Sequence, residues 1–466
     1  MKPQTSSIES NARTGLIVLC TAAFLVPFMG SALNLALHEI GREFTMKAVS
    51  LTWVTTIYLL STAIFQVPFA RVADIIGRKK VFMSGVSLLM ISAILCGFAT
   101  SGAMLIAMRF LSGIGSAMMF GTNIAILSAL FPKESRGKAI GINTAVVYAA
   151  LALGPFFGGI LTRYYGWHSI FFISATIAAT VLILAALLLK GEWIESRGER
   201  FDIGGAILYG AGIAGLIYGF STLPGIFSAF TLFAGAVILV IFVLYEKRQQ
   251  FPVFNVRLFG TNRLFALSSM AALINYAATF AIVFMLSLYL QSVRGLNAGT
   301  AGLILISQAS IQSISSLIAG NISNRISPSV LATTGMSITV VGLAGLIFIS
   351  ASTPYWFLIV LLILFGVGFG IFASPNTNVI MSSVEKKNYS QASATTGTMR
   401  MTGQAFSMGI AGMAISFYMG DSAISPEYSA QFMQSMRMTF SIFLILCTIG
   451  VCISLNRQKN RLIKAA

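Results

Sequence analysis

Charge is what this sequence has least of. Only 9% of its 466 residues are Asp, Glu, Lys or Arg, against about 25% in an ordinary soluble domain. Acid is scarcer than base: 13 Asp and Glu stand against 30 Lys and Arg, with two His. The four cysteines (Cys20, Cys96, Cys447 and Cys452) sit inside apolar stretches without metal-ligand spacing, so they read as small apolar filler. There is no HExxH pair, no plausible nucleophile–base pair, no nucleotide-binding loop and no soluble domain. An enzyme is therefore not expected, nor a bound metal or cofactor.

Hydrophobic residues make up 56% of the chain and the mean hydropathy is +0.86. That composition belongs to an all-α polytopic membrane protein. The net charge of +17 could suggest nucleic acid, but its placement argues against that partner. Twenty-three of the 30 basic residues fall in loops on one side of the spans. Five (Arg42, Lys47, Arg163, Arg294, Arg437) fall on the other, and Arg109 and Arg400 lie within spans. Basic loops mark the cytoplasmic side and face anionic lipid there. The expected address is the cell membrane, multi-pass.

Fourteen spans are expected, near 15–37, 51–70, 81–100, 103–130, 139–162, 169–190, 203–221, 228–245, 264–291, 302–320, 329–350, 355–381, 391–419 and 438–455. Each approaches or exceeds the roughly 20 apolar residues that cross a bilayer core. An even count puts both termini on one side. Lys2 and Arg13 at one end, and Arg457, Lys459, Arg461 and Lys464 at the other, make it the cytoplasm. The polar residues 1–13 and the apolar run after them read as a retained first span rather than a cleaved signal.

Spans seven and eight stand between charged linkers, Lys190–Asp202 and Glu246–Arg263. This divides the chain into a six-helix bundle at 1–190, linkers with two extra helices at 191–263, and a second six-helix bundle at 264–466. A shift of 253 positions lays Gly113, Gly115, Asn123 and Lys133 on Gly366, Gly368, Asn376 and Lys386. Duplicated bundles place a substrate site between the halves.

The residues that speak most directly of function are a charged turn between spans two and three, Ala70-Arg71-Val72-Ala73-Asp74-Ile75-Ile76-Gly77-Arg78-Lys79-Lys80. It resembles the signature loop Gly-x-Leu-Ala-Asp-Arg-x-Gly-Arg-Arg/Lys of the major facilitator superfamily, with Ala70 in place of the first glycine. A degenerate echo, Gly320-Asn321-Ile322-Ser323-Asn324-Arg325, follows span ten. Further matches point to the fourteen-helix drug:proton antiporters of the EmrB/QacA type: Trp53, Tyr58, Leu60 and Pro68; Phe201-Asp202-Ile203-Gly204-Gly205; Glu246, Pro252 and Leu258-Phe259; Leu288-Tyr289-Leu290-Gln291; Arg400 and Gly403.

The resemblance implies alternating access between two bundles and assigns roles. Asp74, with Arg71, Gly77 and Arg78, would latch onto the positive N-terminal end of a second-half helix; its bland alternative is a solvated carboxylate in a basic loop. Arg109 matches the fourth-helix arginine implicated in proton coupling, with Ser112 where Gln is usual. An arginine there is costly unless paired or wet, and snorkelling is the bland alternative. Gly154, Pro155, Gly158 and Gly159 match an exporter motif of the fifth helix, with Ala150 for its first glycine; a packing bend would also use them.

One departure bears on the substrate. The branch often carries an acid in the first helix, where this chain has Met29, and His38 stands where proline is usual. Every Asp and Glu falls at a span end or in a loop. What remains for a cavity is Tyr148, Asn275, Tyr276, Gln308, Gln312, Asn376 and Arg400, although the amides would equally serve as helix–helix glue. His38 and Glu39 join Arg109 as coupling candidates, although a helix-end His is also an ordinary interfacial residue. The expectation is proton-coupled export of small lipophilic compounds by a monomer. The alternatives are a permease for a neutral or anionic metabolite and a transporter-like sensor.

Overall fold

The structure is a computed structural model describing residues 3–323, 325–385, 389–420 and 422–465. Lys2, Asn324 and Lys386 therefore lie outside the described residues, as do the side chains of Lys133, Arg457, Lys459, Arg461 and Lys464.

With no water at membrane depth, backbone N–H and C=O groups must pair within the chain, and a helix does so locally. The described residues contain no strand. Fourteen long helices carry them. The first six are α1 (Pro3–Glu43), α2 (Ala48–Ile76), α3 (Arg78–Gly97), α4 (Gly102–Leu130), α5 (Lys133–Tyr165) and α6 (His168–Leu188). Next come α7 (Ile203–Thr222) and α8 (Ile226–Glu246). The last six are α9 (Arg263–Val293), α10 (Ala298–Ile322), α11 (Pro328–Ile347), α12 (Tyr355–Ser382), α13 (Tyr389–Met419) and α14 (Ser429–Ala465). Thirteen are long and apolar enough to cross a bilayer among the described residues. The other is α13, whose first half carries Thr395, Thr396, Thr398, Arg400, Thr402 and Gln404.

Several helices begin on a side-chain cap. Ser101 accepts from Met104 N at 3.2 Å, Asp202 from Gly205 N at 2.9 Å, Asn262 from Phe265 N and Asn297 from Thr300 N, both at 3.0 Å. The chain crosses alternately, so the start of α1 and the end of α14 share one side, termed the termini face, and the opposite side is the far face.

The packing repeats. In the first six helices α1 packs on α5 and α6, α4 on α2 and α3, and α3 on α6. In the last six, α9 packs on α13 and α14, α12 on α10 and α11, and α11 on α14. Between the sets, α5 packs on α10 and α2 on α13, again a symmetric pair. Helices α7 and α8 pack on each other, with α7 against α2 and α13.

The positions related by the 253-residue shift explain the repetition. Gly115 and Gly85 bring α4 and α3 so close that a Cβ on either would come within 2.8 Å of the other's carbonyl oxygen. Gly368 and Gly335 do the same for α12 and α11, at 2.8 and 2.5 Å. Asn123 Nδ2 donates to Leu19 O at 2.9 Å, tying α4 to α1, and Asn376 Nδ2 donates to Ser268 O at 3.1 Å, tying α12 to α9. Asn376 thus binds two helices of one set.

Such amide bonds within membranes are worth about 0.6–2 kcal/mol. Asn123→Ala and Asn376→Ala are each expected to lower the thermal midpoint of the detergent-solubilised protein while leaving ligand affinity unchanged. Differential scanning fluorimetry beside equilibrium binding checks this.

Candidate functional site

Arg109 lies on α4, seven residues from its far-face end, and is fully buried rather than snorkelling. Its Nε donates to Val54 O at 3.2 Å, and its guanidinium carbon sits 4.0 Å from the centre of the Tyr58 ring. Nη1 touches Met29 Sδ at 3.9 Å, and Nη2 has no hydrogen-bond partner. A carbonyl and an aromatic face offset part of the cost of burying this charge. The Tyr58 hydroxyl is hydrogen bonded to Ser116 Oγ at 2.7 Å. The side chain closest to the place of a counter-ion is thus Met29.

Arg400 lies on α13, nearer the termini face, with its guanidinium carbon 5.2 Å from the centre of the Phe120 ring on α4. It is partly exposed, and its Nε is unpartnered. The phenols of Tyr58, Tyr148 and Tyr276 all lie within its electrostatic reach. Ser313 Oγ donates to Tyr148 O at 3.3 Å, joining α5 to α10. On α13, Gly403 admits Tyr276, whose Cβ a methyl at 403 would meet at 2.8 Å, and Gly397 admits the Gln66 amide. Helices from both sets therefore converge on one guanidinium at mid-depth.

The structure brings Arg400, Tyr148 and Tyr276 together, with Phe120 and Tyr58 beside them. Phe120 carries no polar atom and gives no signal of its own; Tyr58 is one of several buried hydroxyls on α2, among them Thr55, Thr56, Ser61 and Thr62. Gln308 and Gln312 are buried on α10, and Gln308 O lies against Gly366 of α12. Asn275, next to Tyr276, is fully buried with both amide atoms unpartnered.

At the far face hydrogen bonds join the two sets. His38 Nδ1 lies 2.8 Å from Ser292 Oγ, Ser287 Oγ donates to Asn34 O at 2.6 Å, and Ala48 N donates to Ser422 O at 2.9 Å. Glu39 lies one residue along, beside Arg42 and Glu43. His38 is nine residues beyond Met29 on α1, about 13 Å along the axis, so the coupling candidates do not share one site. The Gly154–Gly159 segment of α5 forms the same seam. A methyl at 158 would fall 2.5 Å from Ala32 Cα, and one at 159 would fall 2.5 Å from Ala298 O of α10. Pro155 O faces Gly302, also on α10. One face of the motif packs on α1 and the other on the second set.

At the termini face the signature turn folds back on itself. Gly77, at φ +124°, reverses the chain and swings Arg78 back onto Asp74. Arg78 Nε and Nη2 both lie 2.8 Å from Asp74 Oδ1, and Nη2 also reaches Glu195 Oε2 at 2.7 Å. Asp74 O accepts from Ser196 N at 2.9 Å, Arg71 pairs with Glu199, and Lys79 N donates to Glu192 Oε1 at 2.7 Å. The 189–199 segment thus clasps the turn. Among the described residues the partners of Asp74 belong to the turn and this linker.

Residues 19–408 match the sequence pattern of the Major Facilitator Superfamily. The chain belongs to that superfamily. It is a multi-pass membrane transporter, and the family is one of transporters rather than enzymes. Among its relatives is a methylenomycin A resistance protein of Bacillus subtilis, 30% identical over 427 residues, 89% of this chain and 91% of that one. The riboflavin transporter RibZ of Clostridioides difficile is 28% identical over 384 residues, 80% and 82% of the two chains. The multidrug resistance protein Stp of Mycobacterium tuberculosis is 29% identical over 417 residues, 87% and 77%. The fold is shared with a bacterial homolog of the human lysosomal transporter Spinster, solved in an inward-facing and unoccupied conformation. That match has a TM-score of 0.69 and 15% identity over 98% of each chain.

Because a side chain at 159 collides with backbone of α10, Gly159→Leu is expected to hold this superfamily member open at the far face. The expected result is faster maleimide labelling of Ala298→Cys in the Gly159→Leu background, with at least tenfold slower transport and normal insertion. Equal labelling rates would contradict the seam.

Proposed function

We propose that this protein exports small amphipathic compounds across the cell membrane by alternating access, in exchange for protons. The convergence of both helix sets on Arg400 at mid-depth carries this reading, since a site between two repeats is where a rocking carrier binds its cargo. The tight far-face seam supports export. With the termini face cytoplasmic, as the basic loops suggest, a carrier closed at the far face would take its cargo from inside. The Gly154–Gly159 segment, similar to the exporter motif, lies in that seam. Resistance-protein relatives point the same way.

In this reading the Asp74–Arg78 pair and its linker clasp belong to the inward-open state, and the latch to a second-half helix forms when the termini face closes. Protons enter through groups near the far face, with His38 and Glu39 the nearest titratable pair, while Arg109 and Tyr58 relay the change in charge towards Arg400. The working unit is a monomer in contact with lipid.

Reconstituted protein is expected to move ethidium, or an acidic dye such as a naphthoate, only when a pH gradient is imposed. Arg109→Ala should reduce that gradient-dependent flux to the level of protein-free vesicles. Flux in folded wild-type protein that ignored the gradient would overturn proton coupling.

A further inference from the structure

A guanidinium at membrane depth needs a counter-charge, a fixed dipole or water. The ion pairs among the described residues all lie at helix ends: Arg71 with Glu199, Arg78 with Asp74 and Glu195, and His168 with Glu43. Neither Arg109 nor Arg400 is in one. The two arginines differ in what else they have. Arg109 is sealed: it is fully buried between Val54, Tyr58 and Met29, with no free approach. Arg400 is not sealed. It is partly exposed and makes no hydrogen bond among the described residues.

Around Arg400 stand an aromatic plane (Phe120) and phenol-bearing rings (Tyr148, Tyr276), with Phe369 set edge-on to Tyr276 at 5.4 Å between ring centres. Phenol hydroxyls and amides here donate or accept, but none carries negative charge at neutral pH. The electrostatic sum at mid-depth is two cations and no fixed acid. A lipophilic cation entering this space would be repelled, and an anion would supply what Arg400 lacks.

We propose that the cargo is a monoanion, a carboxylate or equally acidic group on a small aromatic or apolar body, and that Arg400 receives its charge while Phe120, Tyr148 and Tyr276 hold the body. This deepens the export reading and rests on it. A consequence follows from charge counting. Exchanging an outgoing monoanion for one incoming proton moves two positive charges inward, whereas exchanging a monocation for one proton moves none. The membrane potential would therefore drive export directly.

The test uses one scaffold in three charge states: 2-naphthoate, its methyl ester and 2-naphthylmethylammonium. Binding to the purified full-length protein is read by intrinsic fluorescence, and flux is read in proteoliposomes with and without a valinomycin-set potassium potential. The acid is expected to bind at least tenfold tighter than the ester, with the ammonium weakest, and its flux should rise with an inside-negative potential. Arg400→Gln should abolish the preference for the acid, and Arg400→Lys, which keeps the charge, should retain part of it; size-exclusion profiles verify that both are folded. Equal or tighter binding of the ester or the ammonium, or an unchanged acid affinity in Arg400→Gln, would overturn the inference. Gradient-driven ethidium flux without naphthoate binding would overturn the anion and leave export standing. No gradient-driven flux of any probe through folded protein would remove both.

Discussion

In a bilayer an apolar side chain gains nothing by leaving lipid for a neighbouring helix, so helices associate through close backbone approach and a few polar bonds. This chain meets that constraint with glycines placed where helices cross. Gly85 on Gly115 and Gly335 on Gly368 bind α3 to α4 and α11 to α12 by the same contact. Gly158 admits α1 and Gly159 admits α10, so one turn of α5 touches both sets of six. Contacts of this kind are lost abruptly when two backbones separate by an ångström or two. A seam built this way is made or broken as a unit, which is what two rigid helix sets rocking about a site require.

Charge is distributed with equal economy. Carboxylates are spent at the helix ends, where the 189–199 segment and the Asp74–Arg78 turn knit the termini face together. Two arginines are left inside, one sealed by Tyr58 and Met29 and one facing its surroundings. The sealed residue fixes a positive potential along α2 and α4, and the other offers that potential to whatever enters. Tyr58 lies against the sealed one, with its ring centre 4.0 Å from the Arg109 guanidinium carbon.

Much of this was legible in the sequence. The apolar runs gave every long helix, because hydropathy and bilayer thickness leave few alternatives, although α13 is polar enough in its first half to fail a purely apolar criterion. The shift of 253 residues was readable because Gly113, Gly115 and Asn123 do the same packing work as Gly366, Gly368 and Asn376. Other features were not readable. Asn376 looked like a cavity residue, but its amide binds α9, and no sequence pattern tells a bonded amide from a free one. The linker that clasps Asp74 is 115–125 positions away and shows in the sequence only as scattered Glu192, Glu195 and Glu199. Phe120 became part of the site solely through the rotation of α4.

In the proposed cycle the two helix sets exchange closure between faces around Arg400. Distances between spin labels test it most directly, with one pair across the far face, at Thr100 and Ser352, and one across the termini face, at Lys80 and Arg325, all exposed positions. Lowering the pH in the presence of bound cargo is predicted to lengthen the first distance and shorten the second within the same sample. Two distances that stay fixed, or that change in the same sense, would contradict alternating closure.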